Sequence, residues 1–105
     1  MNICALGGRL VRNAVLRGTD KRVLLFTLET RNGRDEEDQK ERINFVPCAL
    51  FNPSIELERK LVNEGKGLFV ELEGRIGSSS YEANGEKKFN TEVIVFNRSV
   101  TLLQG

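Results

Sequence analysis

The sequence predicts an all-β barrel of five strands with a single helix between the third and fourth. Three observations predict it. Apolar residues alternate with polar ones at the period of a strand in several stretches, only one stretch has helical spacing, and an Asn-Gly dipeptide stands where two strands must turn back on each other. A chain of 105 residues has room for one domain, and with 39% hydrophobic and 30% charged residues it can bury a modest core.

Taken in order, Ile3 to Val11 is β-like with Gly7-Gly8 in its middle, where a strand can bend sharply or bulge. A strongly coiled first strand is a barrel feature. A turn at Arg17-Gly18-Thr19-Asp20 leads into the second strand, Arg22 to Thr30, in which Leu24, Phe26 and Leu28 share one parity and face the core. Arg31 to Arg42 contains no apolar residue and is expected to be a solvated, mobile loop. The third strand, Ile43 to Phe51, puts Val46, Cys48 and Leu50 on the core face and Phe45, Pro47, Ala49 and Phe51 on the other. Pro47 sits awkwardly there, because proline removes a ladder donor and is usually confined to edges or bulges.

Asn52-Pro53 is a helix start, with Asn as N-cap and Pro at the first helical position, and the helix should run to about Asn63. Ile55, Leu57, Leu61 and Val62 form its apolar stripe, and Gly65 supplies a left-handed stop. In the fourth strand Leu68, Val70 and Leu72 alternate with Phe69, Glu71 and Glu73, and the strand continues through Gly74 toward Ser80. Asn84-Gly85 then turns the chain into a last strand from Phe89 to about Leu103 and sets Tyr81 across from Lys88. Three strands, one helix and two strands in a chain of this size make a five-stranded Greek-key barrel with its helix between strands 3 and 4, the OB-fold arrangement.

Enzymatic functions find little support. There is no histidine for acid–base work, no P-loop, nucleophile elbow or dinucleotide fingerprint, and Glu71 and Glu73 at i and i+2 read as a solvated strand edge. Cys4 and Cys48, without C-x-x-C spacing, cannot assemble a common zinc site and are expected as reduced, buried thiols; no metal and no cofactor is implied. No apolar run approaches the roughly 20 residues that span a bilayer, so no membrane role is expected and a cytoplasmic location follows.

The net charge is only +1, but Arg9, Arg12, Arg17, Lys21 and Arg22 crowd the first 22 residues against the single acid Asp20. Outward aromatics near basic side chains are what a single-stranded nucleic acid needs: a base stacked on a ring contributes ~1–3 kcal/mol whatever the base, and cations neutralise the backbone. Phe45, Phe51 and Tyr81 are the candidate platforms, with Phe69 and Phe89 behind them. Any one of these phenylalanines, taken alone, reads more naturally as packing in a core or a subunit interface.

Several pieces line up in order and spacing from Asn2 to Leu103. They are the opening M-N-x-x-x-L-x-G-R-L, Val15-Leu16-Arg17, V-x-x-F-T-L-x-T from Val23 to Thr30, Phe45, Leu50-Phe51, the helix ended by Gly65, V-E-L-E-G-R-I from Val70 to Ile76, Tyr81, Gly85 and Thr91-Glu92-Val93. In these the chain resembles the bacterial single-stranded DNA-binding protein family. The resemblance implies non-catalytic, sequence-tolerant binding and protection of single-stranded DNA in replication, recombination or repair, in the cytoplasm and at the nucleoid. It places Phe45, Phe51 and Tyr81 where family members put DNA-stacking aromatics. With the basic residues Arg9, Arg12, Arg17, Arg22, Arg34, Arg75, Lys87 and Lys88 they make up the candidate DNA-binding set. It also implies a homo-oligomer, a tetramer in preference to a dimer, with the first strand in a dimer interface.

Three departures from the family pattern stand out. Gly33 precedes Arg34-Asp35 where many members carry a further stacking tryptophan. Lys66 to Glu73 is about two residues longer than the family spacing, so a bulge is expected in the fourth strand. The chain stops at Gly105 without the family's acidic-tipped tail that recruits replication proteins, as expected of a trimmed chain or of a short form from a plasmid, phage or accessory locus. The alternative, favoured by the tailless length, is an OB module similar to primosomal replication protein N, acting mainly through protein–protein contacts. An enzyme or small-ligand OB domain comes third.

Overall fold

The computed structural model describes residues 1–34 and 41–103, with the side chains of residues 32–34 and 41 left out of the description. The elements are β1 (Cys4–Leu10), β2 (Val15–Arg17), β3 (Val23–Arg34), β4 (Glu41–Phe51), α1 (Ile55–Glu64), β5 (Phe69–Ala83), β6 (Glu86–Val95) and β7 (Thr101–Leu103). Five long strands in the order β1-β3-β4-β6-β5 close into a barrel through the pairing of β1 with β5; β2 is added to β3, and β7 to β5. The OB arrangement with one helix ahead of the fourth long strand is therefore present.

Closure depends on β1 turning a corner. Its residues Cys4 to Arg9 pair with β5, and Arg9 and Leu10 also pair with Glu29 and Leu28 of β3. Gly8 stands at the change of partner, where a Cβ would lie 2.4 Å from the Glu29 carbonyl oxygen, so only glycine permits the close approach. Asn2 extends the β1–β5 ladder with its side chain, whose amide donates to the Ile76 carbonyl and accepts from the Ile76 N–H, both at 2.8 Å.

The parity read from the sequence describes the core well. Leu24, Phe26, Leu28, Cys48, Leu50, Val70 and Leu72 are all buried, joined by Leu10, Leu61, Val93 and Val95. Ala49 departs from its expected exposure. It lies on the outer face but is buried, because β4 pairs there with both β3 and β6 and its small side chain is covered by neighbours. Pro47 costs the β3–β4 ladder no bond. The Thr27 carbonyl accepts from Val11 N–H at 3.0 Å, so the backbone of Thr27 points toward β1, and Thr27↔Pro47 is a non-hydrogen-bonded pair of the β3–β4 ladder.

The helix boundaries differ from the sequence expectation. Ser54, not Asn52, is the N-cap, its Oγ accepting from Leu57 N–H at 3.2 Å, while Asn52 takes a positive φ of 54° in the preceding turn. Ile55 stays exposed and leaves the stripe to Leu57, Leu61 and Val62. Gly65 is right-handed, and the left-handed residue is Gly67, with φ 84°. Glycine is needed at 65 for another reason: a Cβ would lie 2.2 Å from the Leu61 carbonyl oxygen and 2.9 Å from Leu10 Cδ2.

Other corrections concern lengths. The polar segment 31–42 is not all loop: β3 runs to Arg34 and β4 starts at Glu41, with a register shift between Arg31 and Arg34, while residues 35–40 lie outside the described residues. No bulge interrupts β5, whose pairing with β6 runs without a shift from Gly74↔Val95 to Ala83↔Glu86, and whose pairing with β1 is equally regular. A turn at Lys66-Gly67 leads into β5. Glu71 and Glu73 are exposed but not on an edge strand, since β5 is paired there with β1. The last strand is two strands, β6 and β7, separated by a turn in which Ser99 Oγ accepts from Glu73 N–H at 3.1 Å and donates to the Glu73 carbonyl at 2.9 Å.

Candidate nucleic-acid interface

Directly opposed residues in a sheet share a face, so the registers assemble the outer surface row by row. Arg17 of β2, Val23 of β3 and Phe51 of β4 form one row. Val15, Leu25, Ala49, Ile94 and Arg75 form the next, crossing β2, β3, β4, β6 and β5. Glu29 stands opposite Phe45. Further along the β5–β6 hairpin, Tyr81 stands opposite Lys88, with the parity of Arg75 and of the outward Glu71 and Glu73. Phe45, Phe51 and Tyr81 therefore open to solvent on a single continuous face, at 64%, 51% and 45% exposure.

Each platform has a local cause. Phe45 and Phe51 are outward because their β4 neighbours Cys48 and Leu50 take the core positions. Tyr81 is held by the turn at Asn84-Gly85, whose φ values of 52° and 78° are both positive, as a tight two-residue hairpin requires. Phe45 and Phe51 are six residues apart on one strand, ~20 Å at the usual rise.

Basic side chains distribute unevenly around this face. Arg12 and Arg17 wall a groove of about 400 Å³ over the middle of it, with Val15, Thr27, Pro47 and the acidic Glu92. Arg75 and Lys88 lie on the same face by register. Arg22 does not join them. Its guanidinium donates to the Pro53 carbonyl at 3.1 Å and forms a half-buried ion pair with Glu58 at 3.1 Å, too poorly angled to be a hydrogen bond, so it ties β3 to the start of α1. Lys87 shares the opposite face of the hairpin with Phe89, its Nζ 5.7 Å from the ring centroid. The side chain of Arg34 lies outside the described residues.

Arg9 reaches the outer surface on β1, opposite both Glu29 and Phe69. Its guanidinium lies 5.7 Å from the Phe69 centroid and donates to the Gly67 carbonyl at 3.0 Å. Sequence parity marked Phe69 as outward, but only the β1–β5 register reveals its partner.

Both cysteines are free. Burial, with the Cys4 thiol and Glu92 nearby, pushes the Cys48 thiol up from 9.0 to about 12. Below pH 9 folded and unfolded states both hold this proton. Between 9 and 12 only the unfolded state releases it, so stability should fall as pH rises through that window. Thiol titration of the unfolded protein should find both free, with Cys48 unreactive at pH 8 in the folded protein; an intramolecular disulfide in the mass spectrum would contradict this.

The fold and this surface define a class: an OB barrel that presents an open aromatic and basic sheet face. A model of the single-strand binding protein family matches residues 1–102, and the chain belongs to that family, whose members are non-catalytic DNA-binding proteins. Among solved structures, a Plasmodium falciparum SSB in complex with ssDNA is similar at a TM-score of 0.79 and 21% sequence identity, over 98% of this chain and 93% of that one. At that identity the likeness concerns the fold. No curated protein matches the chain.

Proposed function

We propose that this protein binds single-stranded DNA without sequence preference along the outer face of β2, β3, β4 and the β5–β6 hairpin. Phe45, Phe51 and Tyr81 stack on bases, and Arg12, Arg17, Arg75 and Lys88 contact phosphates. The observation that carries this reading is the arrival of all three aromatics, from two separate parts of the chain, on one solvent-exposed face. Membership of the family supports it. Protection of exposed single strands in replication, recombination or repair at the nucleoid is the corresponding role.

A homo-oligomer, tetramer or dimer, is part of the same proposal. The β3-side edge of β1 from Cys4 to Gly8 has no strand partner among the described residues, since β3 pairs only with Arg9 and Leu10. An open edge of this kind accepts a strand from a second copy. Light scattering gives the mass.

Salt tests the electrostatic part. If the four cations each neutralise one phosphate, the log–log dependence of oligo-dT affinity on salt should have a slope of roughly −3, since single strands give about −0.7 per phosphate. Affinity indifferent to salt, or a preference for duplex over oligo-dT, would overturn the proposal.

A further inference from the structure

The groove over the middle of the aromatic face holds an acid among its cations. Glu92 of β6 is the one acid among the described residues that line it, with Arg12 and Arg17 on its walls. None of these lining residues comes from β1 or β5. In the parallel register Cys48↔Val93 the residues one step back, Pro47 and Glu92, lie side by side, and Glu92 stands opposite Gly77 on β5. Gly77 leaves room there for Arg75, whose Nη1 would lie 3.6 Å from a Cβ at Gly77. Pro47 is two residues from Phe45 and four from Phe51, and Glu92 is four from Lys88, the partner of Tyr81. At the usual rise and strand spacing the Glu92 position lies ~8–15 Å from each of the three platforms, between them.

Glu92 is half-buried, and its carboxylate makes no ion pair or hydrogen bond among the described residues, although Arg12, Arg17 and Arg75 stand around it. An ionised carboxylate only accepts hydrogen bonds, and so do the oxygens of a phosphodiester. Glu92 therefore has nothing to offer the backbone of a bound strand. A base is different, because in a single strand the Watson–Crick edge is free to be read. Guanine presents two adjacent donors on that edge, N1–H and the N2 amino group, which match the two oxygens of a carboxylate. Adenine and cytosine each set one amino group beside an acceptor, and thymine sets one N–H between two carbonyls.

We infer that Glu92 reads a base at the centre of the DNA face, accepting from the Watson–Crick edge of a guanine held between the aromatic platforms. The inference rests on the proposed function and deepens it. The rings and the cations accept any sequence, and Glu92 ranks the bases at one position.

The experiment measures fluorescence anisotropy of three labelled oligonucleotides of ~15 nucleotides, within the usual range of OB site sizes: oligo-dT, alternating dT-dG, and alternating dT-dI. Hypoxanthine lacks the N2 amino group and otherwise keeps the guanine ring, so the last two differ in the contact and hardly in stacking. A potassium-free buffer prevents guanine quadruplexes. On the parent protein dT-dG should bind roughly 5- to 50-fold more tightly than dT-dI. In Glu92→Gln that ratio should fall to about twofold or less, with oligo-dT bound at least as tightly as by the parent. Melting curves and light scattering confirm fold and mass. A parent ratio near one would overturn the inference without any variant, and so would a ratio that Glu92→Gln leaves intact. Equal tightening on all three oligonucleotides, with no ratio to lose, would show that the acid only repels the backbone. Failure of the parent to bind any of the three would remove the broader function, and the base reading with it.

Discussion

Changing Phe45, Phe51 or Tyr81 to Ala should weaken oligo-dT binding by ~1–3 kcal/mol each and leave melting nearly unchanged. Combined, the three changes should reduce binding to what the basic residues alone provide. The reason is geometric. Each ring is about half or more exposed, so its removal opens no cavity, and each stands on a strand whose core positions are filled by other residues. Variants that bind oligo-dT like the parent but melt many degrees lower would show that the rings are packing residues. A protein-interaction module would then be the better account of the face.

Phe26→Ala should do the reverse. Phe26 is 5% exposed and stands opposite Cys48 in the centre of the β3–β4 ladder. Truncating a buried phenylalanine costs ~3–5 kcal/mol, a large part of the ~5–15 kcal/mol that holds a domain folded. For a domain near this size that is a fall in melting temperature on the order of 15–30 °C. Affinity for DNA, corrected for the folded fraction, should stay at the parent value because Phe26 is almost wholly buried and offers no ring face to a base. A specific loss of binding without destabilisation would mean that the faces of β3 have been exchanged.

These two results test one principle, that strand parity separates core from surface. Parity was legible in the residues themselves: Leu24, Phe26 and Leu28 on one side of β3, and Cys48 and Leu50 against Phe45 and Phe51 on β4. The Asn84-Gly85 turn was equally legible, because the two positive φ values of a tight hairpin restrict which residues can stand there, and it fixed Tyr81 opposite Lys88. Where neighbouring signals compete, local chemistry was a poorer guide. Asn52, Pro53 and Ser54 all favour a helix start, and the choice of Ser54 as cap follows from where the end of β4 delivers the chain.

The sequence by itself determined the barrel class, the core set and the three outward rings, because these follow from period-two alternation and turn chemistry, which are local properties of the chain. Only the tertiary structure decided which cations accompany the rings. Arg22 and Arg17 look alike in a basic run, yet Arg22 is taken by Glu58 and the Pro53 carbonyl while Arg17 shares a row with Phe51. Lys87 and Lys88 are adjacent, yet one residue of offset sends them to opposite faces of the hairpin. Arg9 and Phe69 meet because β1 closes the barrel on β5, a pairing across some sixty residues that no local pattern records. Long flexible cations go where register and competing partners place them, and register is a property of the closed sheet.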